Sequence, residues 1–359
     1  MAKTSIREIA RSLGLSHTTV SEALRNNPRV REETRIRVQE AANKAGYNYN
    51  PLAGALMSEM RRSGTGTFRG VVAIVDLESS SHRPVNAQNY HRALAEGATD
   101  AAAKLGFKVE AFILGRDNLS IGRLNTILKS RGIHGIFLLP AGQTPDISDL
   151  EWSQFAGIYS DYLIERPSLD TVCSDHFRSM IMALRELASM GYRRPGLVLQ
   201  RSHDSRLMYH WEAAFNIYQR HHKDFEEIQP FVAEPLEATS FRKWFKSHNP
   251  DVVLSHNSDV RDWMMEAGAL VPETHGFCCL NVMMSKVPAA GLDLRPRILG
   301  SRAMELLIGQ LHRNAFGIPE TASNTTIPAK WQPGPTLVMQ KPLKAAKAKA
   351  NPIPKSASV

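Results

Sequence analysis

Between Ser16 and Glu22 the run SHTTVSE packs six hydrogen-bonding side chains into seven positions. Ser16, Thr18, Thr19 and Ser21 carry short hydroxyls, and His17 and Glu22 add an imidazole and a carboxylate, all groups that can bond the polar atoms of a nucleic acid. Arg25, Asn26, Arg29 and Thr34 follow as generic phosphate-binding types. This is recognition chemistry, and the sequence offers no catalytic counterpart. There is no GxSxG, HExxH or GxxxxGK[ST], and Gly64-x-Gly66 has the wrong third spacing for a dinucleotide loop. The 13 histidines are scattered and the three cysteines form no CxxC pair, so neither a metal ligand set nor a cofactor is expected, and the chain does not read as an enzyme.

Helices must hold those side chains in place. Ser5 and Glu8 have the spacing of a capping box, and Ile6, Ile9, Ala10 and Leu13 form an i, i+3, i+4, i+7 apolar stripe stopped by Gly14. Ser16 can cap a second helix through about Arg25, with Val20, Ala23 and Leu24 inward. A third helix over Glu32 to Ala45 places Ile36, Val38, Ala41, Ala42 and Ala45 on one side. Two helices joined by a short Gly-containing turn, with a third in support, describe a helix-turn-helix unit.

The charge supports a polyanionic partner for that unit. The chain has 359 residues and a formal net charge of +9. Residues 1–69 hold 12 Lys and Arg against 6 Asp and Glu, and residues 340–359 hold five lysines and no acid. What remains is nearly neutral, so the basic excess sits at the two ends. For the tail an ordinary solvated surface stays open as an alternative. No stretch is apolar enough for a membrane span, and the N-terminus carries Arg7, Glu8 and Arg11 where a secretion signal would be apolar, so a cytoplasmic protein without membrane partners is expected.

The run IREIARSLGLSHTTVSEALRNNPRVREETRIRVQEAANKAGYNYNP resembles the head of the lactose/galactose repressor family of bacterial transcription regulators over the first 57 residues. The resemblance implies that the second helix enters the major groove of operator DNA. There His17, Thr18 and Glu22 would face bases, and Ser16, Thr19, Ser21, Arg25, Asn26, Arg29, Thr34 and Asn50 the backbone. Glu22 departs from the Arg often found there; a carboxylate can accept from cytosine N4–H, which implies altered operator bases. A surface ion pair with Arg25 or Arg29 is the other reading of Glu22. Arg31 replaces a Ser or Thr that would cap the third helix. Asn50 and Pro51 can start a short helix, too short to be stable alone. The resemblance implies that this hinge orders on DNA with Ala53 and Leu56 at the minor groove, Leu56 as an apolar wedge. Tyr49 stands where the family usually has Pro, and an ordinary linker is the alternative.

From Gly70 the pattern changes to short apolar runs alternating with amphipathic helices. Val71–Val75, Lys108–Leu114, Ile136–Leu139 and Ala156–Tyr159 read as strands, with helices over Tyr90–Leu105 and Ile121–Ser130. A second round has helices over Arg178–Met190 and Met208–His221 and strands at Gly196–Leu199, Asp251–Ser255 and Gly276–Leu280. The expected fold is an N-terminal all-α helix-turn-helix head followed by an α/β, two-lobed effector domain, with ligand chemistry at the strand C-terminal ends and a cleft between the lobes. The body is similar, more loosely, to the same family's periplasmic-binding-protein-like effector domain, on segments such as DTVCSDHFRSMIMALRELASMGYRRPGLVL and GLDLRPRILGSRAMELLIGQL. Candidate effector residues just after strands are Asp76, Tyr159, Asp161, Arg206, Asn257, Asp259 and Asn281. Trp211 could stack on a ligand or belong to the core, with the core favoured. The organisation read here is a head over 1–48, hinge and linker over 49–69, effector and dimerisation domain over 70–339, and basic tail over 340–359. A homodimeric operator-binding regulator is expected, more a repressor than an activator, controlled by a small effector such as a carbohydrate.

Overall fold

The computed structural model describes residues 6–24, 27, 30–45, 68–78, 85–142, 146–162 and 165–340. Ser5, Arg25, Asn26, Arg29, Asn50, the hinge positions Ala53 and Leu56, and the basic tail beyond Gln340 lie outside these residues.

Three helices open the described chain: α1 (Ile6–Leu13), α2 (His17–Leu24) and α3 (Glu32–Lys44). Gly14 ends α1 at φ +66, a left-handed conformation that costs a residue with a Cβ roughly 1–2 kcal/mol. The next amide, Leu15 N–H, returns to Ala10 O at 3.0 Å. Their core is Ile9, Ala10, Val20, Ala23, Val30, Val38 and Ala42. Such small side chains let the helices approach closely. Ile36 is not part of this core: it is 47% exposed, because the inward stripe of α3 runs through Val38 and Ala42, and Ile36, two residues from Val38, falls off it.

The chain divides into two compact units. The first takes residues up to Asp175, Arg206–Met208 and Leu294–Ala329; the second takes His176–Ser205, Tyr209–Asp293 and the chain from Lys330. In the first unit a parallel sheet contains β1 (Gly70–Asp76), β2 (Phe107–Ile113), β3 (Gly135–Leu138), β4 (Ala156–Tyr159), β5 (Asp170–Ser174) and β11 (Asn324–Ile327), in the order β11-β5-β4-β3-β1-β2. The chain first moves outward from β1 to β2 and then returns to the other side with β3. That reversal opens a crevice at the C-terminal ends of β1 and β3.

Two helices of this unit, α4 (Val85–Lys104) and α11 (Pro296–Arg313), meet backbone to backbone. A Cβ at Gly97 would lie 2.0 Å from Arg297 O, and one at Gly300 would lie 1.9 Å from Leu94 O. Both glycines are thus required by the crossing. A further helix, α5 (Ile121–Arg131), packs Leu124 and Leu128 with Ile136, Leu138 and Phe155.

The second unit orders its strands β12-β10-β9-β8-β6-β7. These are β6 (Pro195–Gln200), β7 (Phe231–Ala233), β8 (Val252–Ser255), β9 (Gly276–Cys279), β10 (Ala290–Asp293) and β12 (Lys330–Gln332), all parallel except for the β10–β12 pair. Its helices include α6 (His176–Ser189), α7 (Arg201–Arg206, whose last residue belongs to the first unit), α8 (His210–His221), α9 (Ala238–His248) and α10 (Asp259–Glu266). The helix expected from about Met208 to His221 begins instead at His210, because Met208 and Tyr209 adopt φ values of 56° and 58°. Trp211 is buried in the core with its ring edge-on to His176, at a centroid separation of 4.6 Å.

Candidate functional site

In the three-helix head, Ser16 caps α2: its Oγ accepts from Thr19 N–H at 3.0 Å, and the two hydroxyls lie 2.8 Å apart. This cap satisfies one of the helix's orphan amides. It also fixes the first turn, on which His17 and Thr18 are exposed. Val20 and Ala23, both fully buried, anchor the opposite side of the helix. Ser21, Glu22 and Thr34 are half-buried. Around them Arg11, Arg31, Arg37 and Lys44 are exposed, while Arg35 is drawn into an ion pair with Glu32. The structure therefore presents a capped helix start, whose amide dipoles favour an anion, next to two exposed donor-bearing side chains. Arg31 makes no side-chain bond at the start of α3, so the Ser-to-Arg departure leaves that helix without a side-chain cap.

In the first unit, three sequence-predicted residues come together at the end of β4. Arg206 forms an ion pair with Asp161, whose Oδ1 also accepts from Tyr162 N–H at 2.9 Å. Burial pushes the Asp161 carboxyl up, and the Arg206 guanidinium opposes that shift. Tyr159 is buried, its phenol oxygen accepting from Ala141 N–H at 3.4 Å; burial and then the Asp161 charge push this phenol well above its usual range, so it stays a donor. Asp76, at the end of β1, accepts from Glu78 N–H at 3.2 Å. Glu78 in turn accepts from Gly142 N–H at 2.5 Å, which ties the ends of β1 and β3 across the crevice.

Sequence reasoning missed Glu78, Tyr90 and Tyr162. Tyr90 on α4 lies close enough to feel Asp161 and Arg206; desolvation pushes its phenol above the usual range. The Tyr162 hydroxyl donates to Ser174 O at 2.6 Å. Two phenols, of Tyr90 and Tyr159, thus lie near one carboxylate–guanidinium pair. Glu78 and Tyr162 sit within three residues of a strand end, a signal that was available; Tyr90 lies on a helix, and nothing in its spacing distinguishes it from core.

The second unit treats its candidates differently. Asn257 Oδ1 accepts from Asp259 N–H at 2.9 Å, so it shapes the entry to α10, and Asp259 pairs with Lys286. Asn281 directs a buried Oδ1 that meets no hydrogen-bond partner. At the reversal point of this sheet, His203 on α7 and His256 after β8 stack with ring centroids 4.0 Å apart and planes 12° apart. Neither histidine stood out in the sequence.

Comparison with known proteins bears on both regions. Residues 5–50 match the family described as bacterial regulatory proteins, lacI family. The HTH-type transcriptional regulator DegA of Bacillus subtilis (strain 168) is 27% identical over 194 residues, which is 53% of this chain and 53% of that protein, so the match spans about half its length. The ribose operon repressor of the same organism is 23% identical over 89% of this chain and 94% of its own. Among solved structures, a lac repressor dimer bound to operator and the anti-inducer ONPF superposes with a TM-score of 0.53 at 15% identity, covering 93% of this chain and 99% of that one. At that identity the superposition speaks for the fold alone: a helical head followed by two α/β units.

Proposed function

We propose that the chain, whose residues 5–50 match the lacI family of bacterial regulatory proteins and which is similar to transcriptional regulators such as DegA, is a sequence-specific repressor. In this reading it binds a pseudo-palindromic operator as a homodimer and answers to a small effector. The observation that carries the proposal is the head's α2: a Ser16-capped turn that exposes His17 and Thr18 while Val20 and Ala23 are fully buried behind it.

The division of labour follows the chain. Residues 1–48 read DNA, 49–69 form hinge and linker, 70–339 bind effector and dimerise, and 340–359 add sequence-independent attraction to phosphate. In the head, His17, Thr18 and Glu22 contact bases. Ser16, Thr19, Ser21, Arg25, Asn26, Arg29, Thr34 and Asn50 position the backbone, and Ala53 and Leu56 enter the minor groove. Two heads related by a twofold axis read half-sites about one helical turn, ~34 Å, apart.

For the effector, the first unit offers Asp76, Tyr159, Asp161 and Arg206 at its strand ends, and the second offers Asn257, Asp259 and Asn281. Phenol donors beside a carboxylate–guanidinium pair suit a hydroxyl-rich metabolite such as a carbohydrate, whose hydroxyls both donate and accept. Control is linkage: the effector shifts DNA affinity only by the difference in its own affinity for the DNA-bound and free conformations. Operator selection with the purified chain, repeated with a panel of carbohydrates and other metabolites, tests this reading. The expected result is a twofold-symmetric site whose affinity changes at least several-fold with one compound class; a selection that returns no consensus overturns it.

A further inference from the structure

Arg206, the one basic side chain among the first unit's effector candidates, is already engaged. Its guanidinium pairs with Asp161, and the other oxygen of that carboxylate takes the Tyr162 N–H at 2.9 Å. Further carboxylates stand close by: Asp76 at the end of β1, and Glu78 two residues on, where it reaches Gly142 beyond β3. Tyr159 lies near enough to feel Asp161, Arg206 and Glu78 together, so these groups share one locality. Ser174, at the end of β5, adds an observation of a different kind. It is 3% exposed, and its Oγ meets no hydrogen-bond partner. Alternation along the strand puts Ser174 on the sheet face of Val172, whose buried cluster Tyr90 packs against. Tyr90 in turn feels Asp161 and Arg206, and the Ser174 carbonyl takes the Tyr162 hydroxyl at 2.6 Å. A buried hydroxyl without a partner is unfavourable until something bonds it, and a ligand hydroxyl would do so.

We propose that the effector of this chain is an uncharged, hydroxyl-rich molecule, and that the Asp161–Arg206 pair, with Asp76 and Glu78 beside it, excludes the carboxylate- and phosphate-bearing relatives of that molecule. The inference rests on the effector reading above and narrows it. An arginine alone at a strand end attracts a carboxylate or phosphate and binds it through two parallel N–H bonds. Here an anion has to displace Asp161, which strands a buried carboxylate without its cation, and has to approach Asp76 and Glu78 as it does so. A neutral hydroxyl meets neither obstacle. It can accept from a guanidinium N–H that Asp161 does not use, donate to a carboxylate oxygen, and leave the pair intact. The phenols of Tyr90 and Tyr159, both pushed above the usual range, remain uncharged and add no repulsion. Ser174 Oγ offers the same ligand a further bond.

Isothermal titration of the full chain with neutral pentoses, hexoses and their disaccharides, each paired with its own uronate or monophosphate, tests this. The expected result is binding by one or more neutral sugars, with the charged member of each such pair weaker by about 10-fold or more. Asp161→Asn keeps an acceptor for the Tyr162 N–H and frees Arg206, so the anion-to-neutral affinity ratio should rise by about 10-fold or more. The Arg206 side chain is 28% exposed, so water can solvate the charge left without its partner and the variant should fold. Should it not, Glu78→Gln removes one negative charge while keeping an acceptor for the Gly142 N–H, and should move the ratio in the same direction by a few-fold. A general loss of packing would weaken both members of a pair and leave the ratio where it was. An acid or phosphate that binds wild type as tightly as its neutral parent, or a ratio unmoved by either substitution, overturns the proposal and leaves the effector reading standing. Binding of none of these compounds by wild type or variants overturns both.

Discussion

The three-helix head, proposed to read DNA, and the first α/β unit use the same kinds of polar side chain in opposite ways. In the head, seven small apolar residues make the core and the recognition groups stand outward on one short helix. In the first unit, Asp161 and Arg206 arrive from positions 45 residues apart in the chain and pair close to the buried Tyr159. A convex site needs only a rigid support and local spacing. A concave one depends on long-range pairing and on how each charge is compensated. Substitutions should therefore separate folding from recognition cleanly in the head and couple them in the unit.

The largest effect should come from the support of the head. Val20→Asp buries an uncompensated charge in a core with no partner for it, costing ~3 kcal/mol or more, enough to unfold so small a unit. Operator binding should vanish while effector-independent melting of the α/β units is unchanged; a footprint retained by this variant would show that α2 is not held by that core. Next, Arg206→Ala removes the partner of buried Asp161 and should cost ~2–3 kcal/mol by chemical denaturation. The double variant with Asp161→Ala should recover much of that loss, because no stranded carboxylate remains. Recovery of stability without recovery of the effector response would separate the two roles of the pair; full additivity would show that the ion pair matters little.

Glu22→Arg should leave head stability within ~0.5 kcal/mol and change the preferred base at one half-site position by ~1–3 kcal/mol. Unchanged preference would demote Glu22 to a surface charge. The smallest effect belongs to Arg31→Ser, which restores a side-chain cap to α3 and should stabilise the head by ~0.5–1 kcal/mol in a thermal melt with operator preference intact.

The same contrast explains what could be read in the sequence. The Ser16 cap, the inward Val20 and Ala23 and the exposed His17 and Thr18 were all legible, since each follows from neighbours within one helical turn. The failure at Ile36 was one of phase: an apolar residue two positions from Val38 was assigned to the same stripe. In the α/β units the alternation of strands and helices was legible because buried strands are continuous apolar runs such as VVAIV. The break at Met208 and Tyr209 was not, since neither residue type signals positive φ. Nor was the approach of Tyr90, on a helix, to Asp161, 71 residues later. Position after strands placed Asp161 and Arg206 among the candidates but could not show that they pair with each other.

The central claim, that this head reads a DNA sequence, is tested most directly by fluorescence anisotropy of the full chain on its selected operator and on a scrambled duplex of equal length, at one fixed salt concentration. The account predicts an affinity ratio on the order of 1,000 or more, and its collapse toward one in the His17→Ala, Thr18→Ala double variant with scrambled-duplex binding unaltered. Equal affinity of the wild-type chain for both duplexes would contradict it.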